Sequence, residues 1–143
     1  MRRLFIAIEI EDNTKKQICE LLNNIKKRLP EEKIVDCDKL HITILFLGDT
    51  NIEIEKIIET IDSVKFSREI QIKGLDAFYY YNRPKVLFLK VTTNLNDIHD
   101  ELCNKLKIAD KRFSPHITIS RLKYTKDISE LIKTYGSFEF KFI

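Results

Sequence analysis

Only three histidines occur in the 143 residues, and two of them open the same tetrapeptide, His41-Ile42-Thr43-Ile44 and His116-Ile117-Thr118-Ile119. On a β-strand, residues i and i+2 share a face. Each copy therefore presents one imidazole and one hydroxyl together and sends its isoleucines toward a core. A single His-x-Thr alternation is readily the polar face of an amphipathic strand, because Thr is a common strand residue. Two copies at matching positions point to chemistry instead. Displacement at phosphorus needs a base to activate the nucleophile and an acid to protonate the leaving oxygen on the opposite side. Imidazole changes charge near neutral pH and suits either task. The Thr43 and Thr118 hydroxyls can donate hydrogen bonds to non-bridging phosphate oxygens, where charge builds in the transition state. A metal site is the rival use of histidine, but it usually takes three or more ligands. No Asp, Glu or Cys stands near either motif at a matching spacing, so neither a metal nor a cofactor is expected.

Arg121 is the natural cation for a phosphate. It lies five residues after His116, an odd offset that points it to the opposite face of an ideal strand. It reaches the site if the strand bends or ends by then; a solvated strand-end arginine is the alternative. His99, between Ile98 and Asp100 in a helical pattern, reads as a surface or boundary residue. Phe46, Phe78 and Tyr79 are candidates to stack on a base, and Arg83 to pair with a nucleic-acid backbone. Phe46 falls on the Ile42/Ile44 side of an ideal strand, which favours a core role.

The elements that must position these groups repeat. Residues 4–10 (LFIAIEI) form a β-rich apolar run. Asp12-Asn13-Thr14 supply capping residues, and Ile18, Leu21, Leu22, Ile25 and Leu29 recur at helical spacing until Pro30. A short strand is expected at Ile34-Val35, then a strand over 40–47 ended by Gly48-Asp49. A second helix carries Ile54, Ile57, Ile58, Ile61 and Val64. Residues 69–75 alternate as a strand, 79–84 read as a loop, and 86–91 as a strand. Leu95, Ile98, Leu102 and Leu106 mark a third helix. Further strands are expected over 116–121 and 138–143. Each half thus runs strand, capped helix, strand, and ends in HITI. The expected fold is α+β, with two related sheet-plus-helix lobes around a central groove. No Gly-, Pro- or Ser-rich linker divides them, so residues 1–143 form one domain.

A net charge of +3 is compatible with an anionic substrate without requiring one. Met1-Arg2-Arg3 and the short apolar run after it are cut off by Glu9, Glu11 and Asp12, so no signal peptide or membrane span is expected. Cys19, Cys37 and Cys103 are odd in number and widely spaced; they read as reduced, packed thiols of a cytoplasmic protein.

Residues 41–48 (HITILFLG) and 113–121 (FSPHITISR) resemble the two signatures of the 2H phosphoesterase superfamily. The opening strand, the helix after it and the Arg83-Pro84 pair before VLFLKV are similar to its branch of RNA 2',3'-cyclic phosphodiesterases, historically called 2'-5' RNA ligases. The likeness covers nearly the whole chain. It implies a bilobal fold and metal-independent hydrolysis of RNA 2',3'-cyclic phosphate ends to 2'-phosphate, with a reversible ligase activity besides. It also implies Arg121 on the phosphate, with His41 as acid to the leaving 3'-oxygen and His116 as base to water, although the residues alone allow the reverse. The partners expected are RNA with cyclic-phosphate ends or small nucleotides, and the chain is expected to be a monomer. Competing readings are a phosphodiesterase of small cyclic or 2'-5'-linked nucleotides and a non-catalytic RNA-end-binding module. Members of the branch continue past a strand like residues 138–143 with two more, so one lobe is expected to lack the family's last strands. The segment between Leu106 and Phe113 is short as well.

Overall fold

Among residues 2–109 and 113–143, which the computed structural model describes, the chain runs β1 (Arg2–Glu9), α1 (Asp12–Arg28), β2 (His41–Thr50), α2 (Ile54–Ser63), β3 (Ile70–Tyr80), β4 (Arg83–Val91), α3 (Asn96–Leu106), β5 (His116–Arg121), α4 (Ser129–Tyr135) and β6 (Glu139–Phe142). A 3-10 turn, Cys37–Lys39, leads into β2. The short segment before Phe113 includes 110–112, outside the described residues.

β1 and β2 pair antiparallel as one sheet, and the other runs β5-β4-β3-β6, antiparallel throughout. β2 and β5, the two HITI strands, approach each other between the sheets. This is the expected mixed, two-lobed architecture. The helices are exchanged between the lobes: α1, which follows β1, packs on β6 of the other sheet, whereas α3, which follows β4, packs on β2 and α2. The Thr14 hydroxyl of α1 donates to the Lys141 carbonyl of β6 at 3.4 Å. α4, which the sequence pattern did not reveal, covers β3.

α1 buries Thr14, Ile18, Leu21, Leu22 and Ile25 on one stripe and sets Lys26, Lys27 and Arg28 in its last turn, where they complement the helix dipole. Its cap is Glu11, one residue ahead of the expected capping cluster; the carboxylate accepts from the Asn13 N–H and the Thr14 hydroxyl, both at 3.1 Å.

The two HITI strands share a burial pattern. Ile42, Ile44, Ile117 and Ile119 are essentially inaccessible, while the His and Thr of each copy are half-buried on the opposite face. Slipping either strand by one residue would swap two buried isoleucines, each contributing about 1.5–3 kcal/mol, for polar groups that burial penalises. Both strands then carry a bulge at the same place. Ala7 faces Thr43 but Ile6 faces Leu45; Phe88 faces Thr118 but Leu87 faces Ser120. Ile44 and Ile119 are the extra residues, and the face assignment inverts after each.

Several expectations need correction. Ile34-Val35 is not a strand, although the Val35 N–H donates to the Ile119 carbonyl at 2.8 Å along the outer edge of β5. The region read as a loop over 79–84 is a hairpin: β3 and β4 extend into it, and only Tyr81 and Asn82 turn, both left-handed with φ of 50° and 63°. β2 runs on through Gly48, whose φ of 63° admits a second irregularity against Leu4. His99 is buried, its ring stacked on Phe113 at 4.3 Å. Cys19 and Cys37 are joined in a disulfide that ties α1 to the 3-10 turn, so the reading of all three cysteines as reduced fails for this pair.

Candidate active site

The two histidines, both threonines and Arg121 line one groove of about 470 Å³ between β2 and β5. The bulges bring Arg121 there. Because Ile119 adds a residue, the odd offset from His116 becomes an even one, and Arg121 emerges exposed on the histidine face. Phe46 occupies the same place after His41, five residues on and past the matching bulge. It is 64% exposed and lines the groove, which overturns the core role read from ideal alternation.

The imidazoles are held alike. His41 Nδ1 lies 2.7 Å from the Lys39 carbonyl and His116 Nδ1 lies 2.7 Å from the Ser114 carbonyl, each two residues upstream. A carbonyl oxygen only accepts, so Nδ1 carries the proton in both contacts. That leaves Nε2 of each ring as the working nitrogen: a base when neutral, an acid when charged. Aromatic rings brace them. Phe5 stacks on His41 with centroids 5.1 Å apart, while Phe78 meets His116 edge-on at 5.1 Å and Phe88 does so at 5.3 Å. Among the described residues, Arg121 meets no carboxylate at ion-pair distance, so its charge is available to an anion.

Of the other expected contacts, Phe78 lines the groove, while Tyr79 and Arg83 lie outside its lining. The Arg83 guanidinium instead donates to the Lys123 carbonyl at 2.9 Å. Sequence reasoning missed Phe5, Lys39, Val35 and Val86, which line the groove as well. The one available signal was Lys39, a cation two residues before His41. An apolar pocket of about 310 Å³ opens off the groove and shares Thr43, Phe46, Phe78 and His116 with it; Phe113 closes its far side. Among the described residues no cluster of three or more His, Cys, Asp or Glu is placed to hold a metal ion.

The arrangement supplies two acid–base groups, two hydroxyl donors and a cation around one cavity. Residues 14–142 match the family model described as the 2'-5' RNA ligase superfamily. The chain is 31% identical over 154 residues to a Methanocaldococcus jannaschii protein named RNA 2',3'-cyclic phosphodiesterase, covering 99% of this chain and 88% of that one. It is 32% identical over 139 residues to a Thermotoga maritima protein of the same name, covering 87% and 72%. A crystal structure of a Thermus thermophilus protein superposes with a TM-score of 0.75 at 21% identity, over 98% of this chain and 84% of that one.

Proposed function

The chain belongs to the 2'-5' RNA ligase superfamily, and from that footing we propose that it hydrolyses RNA 2',3'-cyclic phosphate ends to 2'-phosphates, with His41 and His116 as the acid–base pair. The observation that carries this reading is the matched pinning of the two rings by backbone carbonyls at 2.7 Å within one groove. Each ring thereby keeps Nε2 free for proton transfer.

In the reaction, water attacks phosphorus as the neutral imidazole removes its proton. The bond from phosphorus to the 3'-oxygen breaks, and that oxygen takes a proton from the charged imidazole on the other side. The products are a 2'-phosphomonoester and a 3'-hydroxyl. Thr43 and Thr118 donate to the non-bridging oxygens, and Arg121 meets the accumulating negative charge. The two rings are held so alike that geometry favours neither order of roles; the family resemblance favours His41 as acid and His116 as base. The apolar pocket beside the groove suits the terminal base, with Phe46 and Phe78 as its stacking surfaces. The working unit proposed is a monomer; the Cys19–Cys37 disulfide removes the cysteine argument for a cytoplasmic setting. No described helix is long and apolar enough to cross a membrane.

The deciding experiment is turnover of an oligoribonucleotide with a 2',3'-cyclic phosphate end, in the presence of EDTA. His41→Ala and His116→Ala should each lower kcat about 10²–10⁴-fold. The double variant should be little worse than the poorer single one, because groups acting in one step are not additive. If both single variants keep near-normal turnover, the two-histidine mechanism is wrong and a phosphate-binding module becomes the better reading. If chelation abolishes the wild-type activity, metal independence is wrong.

A further inference from the structure

A second cavity, of about 480 Å³, leads out of the groove and shares Val35, Thr118 and Arg121 with it. It shares no wall with the aromatic pocket, which joins the groove through Thr43, Phe46, Phe78 and His116. The three spaces therefore stand in series, with the histidines in the middle. We propose that this second cavity receives the nucleotide on the 5' side of the cyclic phosphate, with Tyr124 as a stacking platform and Lys33 and Lys123 as backbone cations. The inference rests on the phosphodiesterase reading of the groove and adds a substrate class: an RNA end of two or more nucleotides, not a cyclic mononucleotide.

The walls suit that occupant. Lys33 and Lys123 are exposed and, among the described residues, have no carboxylate at ion-pair distance. With Arg121 they set three cations on the cavity. Two carboxylates also line it. Glu31 is exposed and Glu32 keeps its charge, so three cations face two carboxylates, a net of +1. Glu32 is buried, and its oxygens are occupied by the backbone N–H groups of Lys123, Tyr124 and Thr125 at 2.7–3.0 Å and by the Thr125 hydroxyl at 2.6 Å. That net charge favours an anion. Tyr124 is 59% exposed and lines the cavity. Aromatic rings on such walls stack on bases of any identity.

The wall is also braced, as a binding surface must be to avoid an ordering cost on contact. Besides the Glu32 bonds, the Ser120 hydroxyl donates to the Lys33 carbonyl at 2.7 Å. The Val35 N–H donates to Ile119 and the Arg83 guanidinium to the Lys123 carbonyl, at 2.8 and 2.9 Å. Lys33 and Lys123 thus stand on backbone fixed from both sides. A chain with its terminal base in the aromatic pocket and its cyclic phosphate between the histidines can continue into this cavity, past Thr118 and Arg121.

The test compares kcat/KM for uridine 2',3'-cyclic phosphate with that for a uridine dinucleotide ending in the same group. The variants are Tyr124→Ala and Lys123→Ala, with melting temperature checked for each. Wild type should prefer the dinucleotide by roughly tenfold or more. Each variant should lose about five- to hundredfold on the dinucleotide, mainly through KM, and stay within about twofold on the mononucleotide. Lys123→Ala should also flatten the dependence of dinucleotide KM on salt. Equal use of the two substrates by wild type, or equal losses on both in the variants, overturns the subsite and leaves the phosphodiesterase reading standing. Failure to turn over either substrate removes that reading and the subsite with it.

Discussion

Glu32→Gln tests a strongly perturbed group that braces the second cavity. Burial pushes the Glu32 carboxyl up, but hydrogen bonds from the Lys123 N–H, the Thr125 hydroxyl and the Thr125 and Tyr124 N–H groups outweigh it and bring the pKa from 4.5 down to about 2. That difference corresponds to about 3 kcal/mol of stability held by the charged form. The cavity wall borders water, and screening brings the expectation to about 1–2 kcal/mol. Gln supplies one oxygen where Glu supplies two. With that oxygen placed toward Tyr124 and Thr125, its NH₂ faces the Lys123 N–H, donor against donor, a mismatch of similar size. The folded-state pKa is depressed, so the stabilisation is fully present above about 4.5 and is lost as pH falls toward 2. Urea unfolding of wild type and variant should therefore differ by about 1–2 kcal/mol at pH 7, and the gap should close progressively between about pH 4.5 and pH 2. Other carboxylates titrate in both proteins and cancel in the difference. A gap that is the same at pH 7 and pH 2.5, or absent at pH 7, refutes the clamp.

Thr43→Val and Thr118→Val keep shape and strand preference but remove a donor, so kcat should fall roughly 10–1000-fold with the melting temperature nearly unchanged; a large loss of stability with intact activity would make the threonines structural. Cys19→Ser, or reduction of the wild type, opens a disulfide that spans 18 residues and should lower stability by about 2–3 kcal/mol in urea. Alkylation mass counting on unreduced, unfolded protein should find one modified thiol instead of three; three would mean the pair is not bonded.

That both His-x-Thr motifs line one groove was legible because it depends on residue type at period two, which the HITI repeats display without help from the rest of the fold. The position of Arg121 was not, and neither was the exposure of Phe46. Both depend on a bulge that inverts alternation, and Ile44 and Ile119 look like ordinary strand residues until the facing strand is placed. His99 misled because a histidine between Ile98 and Asp100 has the local look of a boundary, while its burial comes from Phe113, beyond the end of its own helix. The Cys19–Cys37 pair is brought to a Cα separation of 5.7 Å by the packing of α1 on the 3-10 turn, a tertiary fact that spacing does not carry. α4 is only seven residues long, too short for its periodicity to stand out.

Exchange of helices between the lobes also decides how the molecule comes apart. A cut between α2 and β3 would leave an N-terminal piece with the β1-β2 sheet stripped of α3, and with the apolar stripe of α1 facing solvent. The C-terminal piece would keep its sheet but lose α1, and α3 would have nothing to cover. Neither piece can bury its own apolar surface, so the lobes melt as one cooperative unit and have no independent foldons. The seam between them, where both imidazoles line one groove, is held shut by the stability of the whole chain. An interlocked topology of this kind fixes the separation of the two HITI strands without a hinge.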